Sequence, residues 1–295
     1  MKSIFITGSS GFVGSNLIDF LPTSSFFRYK KGELLQIHQD VVIHLAGKAH
    51  DLKRVASRDE YYQVNTELTK HVFDSFISSN AKVFITLSSV KAVADAVDGE
   101  LTEEAQPIPI THYGKSKLLA EQYIISQKIP EGKRVYILRP CMIHGPGNKG
   151  NLNLLYNIVS KGFPWLLGNF ENKRSYLSIE NLCFIIKELI EREDIPSGIY
   201  NVADDVPLST NDVIRLIAES KGKEARIINL MKSFITALAR LGDFLKLPLN
   251  TERLHKLTES YVVSNAKIIA AIGKPLPVSS KEGLLRTFQS FSSNA

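Results

Sequence analysis

The sequence predicts an α/β protein, a doubly wound parallel sheet followed by a smaller, mainly helical second lobe. Three observations predict it. Short apolar runs alternate with amphipathic stretches over the first 140 residues, the rhythm that a parallel sheet covered by helices requires. The runs lack clean period-two alternation, and Val41-Val42-Ile43 is continuous, as fits strands buried on both faces. Gly8-Ser9-Ser10-Gly11-Phe12-Val13-Gly14 joins the first run to the first amphipathic stretch, a strand-turn-helix opening.

In chain order, strands are expected at residues 2–7, 40–45, 82–87 and 134–138. Helices are expected between them at 11–21, 65–79 and 113–127, where apolar residues recur at helical spacing. After Pro140 the chain becomes a loop, Gly145-Pro146-Gly147-Asn148-Lys149-Gly150-Asn151, whose composition suits a hinge or lid. Helical patterns follow at 211–220 and 230–245, with a terminal helix after Ser280. Residues 1–165 are therefore read as a first lobe, to which a segment near 171–186 returns, and 166–295 as a second. The amphipathic 230–245 stretch has two uses, packing on the core or touching a membrane surface, and core packing is the expectation.

The chain has 295 residues, 44% hydrophobic and 22% charged, a composition that excludes disordered, collagen-like and coiled-coil classes. Its opening lacks the apolar run of a signal peptide, and no stretch is apolar enough to span a bilayer. Cys141 and Cys183 are its only cysteines, too few for a disulfide framework or a zinc site. The expected setting is a reducing cytoplasm, with no metal. Lys and Arg number 36 against 30 Asp and Glu, a net +6, but they are scattered singly or in pairs. That pattern suits small anionic ligands rather than nucleic acid or a membrane.

The glycine turn is the first chemical signal. Glycines permit a tight turn and close approach of backbone to a pyrophosphate, and the following helix N-terminus favours its charge. Gly8, Ser10, Gly11, Phe12, Val13 and Gly14 are the candidate cofactor ligands there. About 20 residues on, where dinucleotide sites place an acid for the ribose of NAD, the chain instead reads Phe26-Phe27-Arg28-Tyr29-Lys30-Lys31. Arg28 and Lys30 are candidates for the 2′-phosphate of NADP; the alternative is a solvated strand end.

The second signal is Tyr113-Gly114-Lys115-Ser116-Lys117. Residues four apart share a helix face, and an ammonium there can stabilise a phenolate whose ordinary pKa, about 10, makes it a poor base at neutral pH. Ser88-Ser89 follows the strand at 82–87 and can supply a hydroxyl that orients an alcohol or ketone.

Together these residues resemble the extended short-chain dehydrogenase/reductases, and among them the nucleotide-sugar epimerase, dehydratase and 4-ketoreductase group. The likeness covers nearly the whole chain. It includes Asp40-Val41-Val42-Ile43-His44-Leu45-Ala46-Gly47, Asn65, Leu138-Arg139-Pro140 with Ile143-His144-Gly145-Pro146-Gly147, Lys173-Arg174-Ser175-Tyr176-Leu177, Gly198-Ile199-Tyr200-Asn201-Val202 as a second-lobe strand, and the closing Ile272-Gly273-Lys274-Pro275 and Glu282-Gly283-Leu284.

The resemblance implies a Rossmann-type fold and a set of roles. Tyr113 is the general acid/base, Lys117 holds the nicotinamide ribose and tunes Tyr113, and Ser89 is the hydroxyl partner with Ser88 in reserve. Leu45, Ala46 and Gly47 flank the cofactor. Arg174 grips the diphosphate of a nucleotide sugar, a task suited to a guanidinium fork, with Asn151 and Arg253 as further substrate contacts. The implied reaction is hydride exchange at C4 of a UDP-hexose, as a 4-ketoreductase or a 4-epimerase, with NAD or NADP and a slight lean to NADP. A non-catalytic nucleotide-binding protein is the remote alternative. The resemblance also implies a homodimer built on the helices at 65–79 and 113–127.

Departures from the group's pattern carry their own expectations. No Asp-Glu pair follows Ser88-Ser89, and Lys91 stands nearby instead, which disfavours dehydration. The short span from Gly14 to Asp40 predicts a trimmed adenosine side, and His144 is expected to pack within its loop.

Overall fold

A computed structural model describes residues 2–22, 24–29, 32, 35–48, 57–148, 150–245 and 250–292. Its elements run β1 (Ser3–Thr7), α1 (Phe12–Phe20), β2 (Ser25–Arg28), β3 (Val41–His44), α2 (Arg58–Tyr62), one π-helical turn (Gln63–Glu67), α3 (Leu68–Ser78) and β4 (Val83–Leu87). Next come a short 3₁₀ turn (Val90–Ala92), β5 (Glu100–Leu101), α4 (His112–Ser126), β6 (Arg134–Pro140), β7 (Met142–His144), α5 (Asn151–Ser160), β8 (Tyr176–Ser178) and α6 (Ile179–Glu191). The chain ends with β9 (Gly198–Val202), α7 (Thr210–Glu219), α8 (Lys232–Leu245), α9 (Thr251–Thr258), β10 (Val262–Val263), α10 (Ala266–Ile272) and α11 (Ser280–Ser292).

Six strands form one parallel sheet in the order β2-β1-β3-β4-β6-β9. Both faces are covered, which is why the strands read as continuous apolar runs. Ile4, Ile6, Val41, Ile43, Val83, Ile85, Tyr136 and Leu138 point to one face and pack with Leu17 of α1 and Leu182, Ile185 and Ile186 of α6. Phe5, Val42, Phe84, Val135 and Ile137 point to the other, against Val72, Phe73 and Phe76 of α3 and Ile124 of α4. Burying each such side chain stabilises the fold by about 1.5–3 kcal/mol.

The expected strands and helices of the first 140 residues form, with ends displaced by one or two residues, except that the helix expected from residue 65 begins as α3 at Leu68 and is preceded by the π-helical turn and α2, which run back to Arg58. One assignment is corrected: Gly198–Val202 is not a strand of the second lobe but β9, the sixth strand of the central sheet, paired from Tyr136↔Gly198 to Pro140↔Val202. Its Tyr200 and Val202 are buried in the same cluster as β1 and β3, so the covering of β6 demands it there. At the opposite edge β2 is only four residues long and mostly exposed, the structural form of the short span after Gly14.

Helices α5, α7, α8, α9 and α11 build two smaller cores. Leu152 and Tyr156 of α5 meet Val213, Leu216 and Ile217 of α7 and Leu284 and Phe288 of α11. Trp165 and Leu167 meet Ile214 of α7, Ile235 and Ala239 of α8 and Leu254 of α9. Among the described residues no helix is long and apolar enough to cross a membrane.

Candidate active site

The chain leaves β1 towards β2 on one side and returns across β1 to β3 on the other. That reversal opens a crevice at the carboxyl ends of the strands, where open α/β sheets bind ligands. Gly8 ends β1 with φ +73°, a conformation that only glycine adopts at no cost. A Cβ at Gly8 would lie 2.6 Å from the Ala46 nitrogen, and one at Gly14 would lie 2.3 Å from the Gly8 carbonyl oxygen. The two turns are thus in backbone contact. Gly11 caps α1 with no side-chain bond to its amides, leaving the helix end suited to an anion. Ser10 and Gly11 are exposed, Phe12 and Val13 half-buried. This cradle of backbone fits the diphosphate of a dinucleotide.

Leu45, Ala46 and Gly47 follow β3 along the same edge, held by bonds from the Leu45 and Ala46 amides to the Thr7 carbonyl (3.1 Å) and hydroxyl (3.2 Å). Beneath them His44 is buried between the Thr7 hydroxyl at Nδ1 (2.7 Å) and the Thr69 hydroxyl at Nε2 (2.9 Å). Burial, with the Lys117 charge adding to it, lowers His44 to about 3, so its ring is neutral. Arg28 ends β2 at the same edge and is exposed. Lys30 lies outside the described residues.

Helix α4 brings the candidate catalytic side chains to this edge. Thr111 caps it, accepting from the Gly114 amide at 3.2 Å. Asp95 fixes the cap by accepting from the Ile110 and Thr111 amides at 2.7 and 3.2 Å. A Cβ at Gly114 would lie 2.3 Å from the Lys91 carbonyl oxygen, so glycine lets α4 lie against the turn that carries Ser89. There the Ser89 hydroxyl lies on the Tyr113 side of the turn, close enough to draw the phenol's pKa down. Ser88 is occupied elsewhere, donating to Glu121 Oε1.

One turn beyond Tyr113, the buried Lys117 ammonium donates to the Leu87 carbonyl at 2.8 Å. A further turn on, Glu121 receives Arg139 Nε at 3.0 Å and Nη2 at 2.6 Å. Burial lowers Lys117 to about 8, against the opposing pull of Glu121. Tyr113 differs from expectation: burial pushes its phenol up, the nearby Ser89 hydroxyl pulls it down less strongly, and Tyr61 adds a smaller upward push. The Lys117 ammonium is turned to the Leu87 carbonyl, so in the protein alone desolvation outweighs any help to the phenolate.

Glu121, Asp95 and Tyr61, whose ring meets Tyr113 edge-on with centroids 6.3 Å apart, were not singled out in the sequence. Glu121 had a signal, the same four-residue spacing from Lys117 that links Lys117 to Tyr113. Asn65 lies in the π-helical turn, accepting from the Lys48 amide at 2.7 Å and donating to Ser116 Oγ at 3.0 Å, which ties the loop after β3 to α4.

The candidate substrate residues are more scattered. Arg174 lies where its backbone bridges Leu208 and Tyr261, and its guanidinium is 3.5 Å from Glu259. Asn151 opens α5. Arg253 is exposed on α9. His144 is buried at the end of β7, bonded to Thr287 of α11 at 2.9 Å and facing Asp204 at 3.5 Å, so it packs as expected of a core residue but on α11 and Asp204 rather than within its loop. Cys141 and Cys183 are free thiols, and the described residues contain no group of metal-ligating side chains.

Residues 30–203 match the NAD dependent epimerase/dehydratase family. The chain is 32% identical to the UDP-glucose 4-epimerase of Vibrio cholerae, over 74% of this chain and 75% of that protein. It is 25% identical to the GDP-6-deoxy-D-mannose reductase of Pseudomonas aeruginosa, over 77% and 83%. The UDP-glucuronic acid 4-epimerase of Bacillus cereus, solved in complex with NAD, superposes with a TM-score of 0.76 over 99% of both chains at 18% identity, a likeness of fold.

Proposed function

The chain belongs to the NAD dependent epimerase/dehydratase family, and from that premise we propose that it exchanges hydride with C4 of a UDP-linked hexose, acting as a 4-ketoreductase. The observation that carries this reading is the meeting of Tyr113 and Lys117, one turn apart on α4, with the Ser89 turn that packs against Gly114, at the same sheet edge as the glycine turn.

Gly8 to Gly14 hold the cofactor diphosphate, Leu45 to Gly47 flank it, and Lys117 holds the nicotinamide ribose. A bound nicotinamide supplies the hydride. Tyr113 moves the proton at the C4 oxygen, donating as a carbonyl is reduced to an alcohol. The upward push on its phenol keeps it protonated, as a reductase's acid must be at the start of the cycle. Ser89 holds the same oxygen by hydrogen bonding. Arg174 turns from Glu259 to the substrate diphosphate, with Asn151 and Arg253 beyond it. Residues 1–165 hold the cofactor, with β9 completing the sheet beneath it and α6, which starts within the returning segment near 171–186, covering one face of that sheet. The rest of 166–295 holds the nucleotide sugar.

Arg28 at the end of β2, with no carboxylate beside it in the strand, supports NADP. A second reading, a 4-epimerase that keeps NAD in place, is favoured by the identity with the Vibrio cholerae enzyme. Either enzyme works in the cytoplasm as a homodimer through α3 and α4, whose outer face exposes Leu119 and Ile125.

Cofactor extracted from purified protein and identified by mass, followed by titration with NADH and NADPH, tests the assignment. An emptied site that binds NADPH reversibly is expected. Tightly retained NAD would establish the epimerase instead, and no affinity for either dinucleotide would refute both.

A further inference from the structure

Helix α8 was expected to pack on the core, and one seam of it does: Ile235, Ala239 and Gly242 are buried. The seam occupies only part of its apolar surface. Phe234, Leu238, Leu241 and Leu245 recur at intervals of four, three and four residues, which sets them in one stripe along the helix, and all four are exposed. Met231 before the helix is 71% exposed and Phe244 near its end 82%.

The stripe continues onto the neighbouring strand-like segment. Trp165 and Leu167 bridge Ile227 and Asn229 and turn inwards onto Ile235 and Ala239. Phe163, Leu166 and Ile228 are left outside. Single exposed apolar residues are ordinary, but a contiguous surface of this kind marks an interaction site.

Charge selects the occupant. Residues 221–256 hold eight Lys and Arg against three Asp and Glu, so five of the chain's six net positive charges fall in this one stretch. Arg240 is exposed on α8, Arg226 is exposed on the adjoining segment, and Lys232 at the start of the helix is exposed over the Phe170 ring. The one acid of α8, Asp243, is turned away into the start of α9, accepting from the Thr251 amide at 3.1 Å and hydroxyl at 2.7 Å. A helix with bulky apolar side chains on one surface and cations beside them lies in the plane of an anionic lipid interface. A second copy of this chain would bring the same positive stretch against itself.

We propose that α8 and the adjoining 163–166 segment dock this protein peripherally on an anionic bilayer surface, with Phe234, Leu238, Leu241 and Phe244 entering the headgroup region. This reverses the expectation of no membrane partner and is independent of the reaction assigned above. It leaves α3 and α4 free for a homodimer.

The test is co-sedimentation of the full chain with vesicles of phosphatidylcholine alone or mixed with phosphatidylglycerol, with sedimentation velocity in the absence of lipid. The expected result is binding to the mixed vesicles that weakens with salt and little binding to the neutral ones. Leu241→Glu with Phe244→Glu should cut the bound fraction about tenfold, since apolar burial drives insertion. Arg226→Gln with Arg240→Gln should weaken binding without touching an apolar contact. Both pairs are exposed, and unchanged thermal melting and dinucleotide binding confirm that they fold. No binding to either vesicle, equal binding to both, or a lipid-free dimer that the glutamate pair dissociates would overturn the proposal.

Discussion

The two ends of the cofactor crevice are built differently. At the α4 end, Tyr113, Lys117 and Glu121 stand one turn apart, and Ser89, the Leu87 carbonyl and Arg139 each meet one of them. At the β2 end a four-residue edge strand carries one exposed arginine. The difference matches what the proposed roles would ask of each end. Moving a proton to a chosen oxygen requires a donor held in place and stripped of water. Discriminating a 2′-phosphate from a hydroxyl requires a cation near the right place, which an exposed side chain can supply.

The comparison is broken most directly at Tyr113. Tyr113→Phe should lower turnover by about a thousandfold, the scale of general acid/base catalysis, while dinucleotide affinity measured by calorimetry stays the same. Near-normal turnover would mean that the buried end does not carry the chemistry.

Glu121→Gln tests whether burial there rests on its charge network. It leaves the Arg139 guanidinium, 3% exposed, without its carboxylate, and losing one partner of a buried pair costs about 3–5 kcal/mol. A loss of that order in urea unfolding is expected. A loss under about 1 kcal/mol, the range of surface pairs, would show the network to be dispensable.

A pH series separates local titration from unfolding. Folding lowers Lys117 from 10.5 to about 8, so between those values the unfolded chain binds its proton more tightly than the folded one. This group's contribution to stability therefore rises across the window. Turnover should do the opposite, falling about tenfold per pH unit above the transition as the ammonium is lost. Turnover and thermal stability falling together would point to unfolding instead.

The smallest effect is expected at the β2 end. Arg28→Ala should weaken NADPH binding about tenfold, as loss of one charge-assisted contact would, and leave NADH unchanged. Equal loss of both would remove the 2′-phosphate assignment.

This contrast also explains what the sequence disclosed. The glycine turn, Tyr113 and Lys117 were legible because backbone clearance and helical spacing are local constraints, written within seven and five residues. Gly114 gains its meaning from Lys91, and Glu121 from Arg139 and Ser88, contacts that need the sheet in place. The partner of Arg174 is Glu259, 85 residues away in sequence, and no spacing rule reaches that far. Gly198–Val202 misled for the same reason. Its apolar run is that of a strand, but which sheet it completes is decided by the uncovered edge of β6.

That edge also bears on how the protein is made. A ribosome that has released residues 1–165 has delivered five of the six sheet strands, yet β6 still presents unpaired backbone and α6 has not arrived to cover Ile4, Ile43 and Leu138. An open apolar strand edge is a template for pairing with other chains. Biosynthesis therefore passes through an interval, from residue 140 to residue 202, in which the β6 edge has no partner strand within the chain. A truncation placed at the apparent lobe boundary would make that interval permanent.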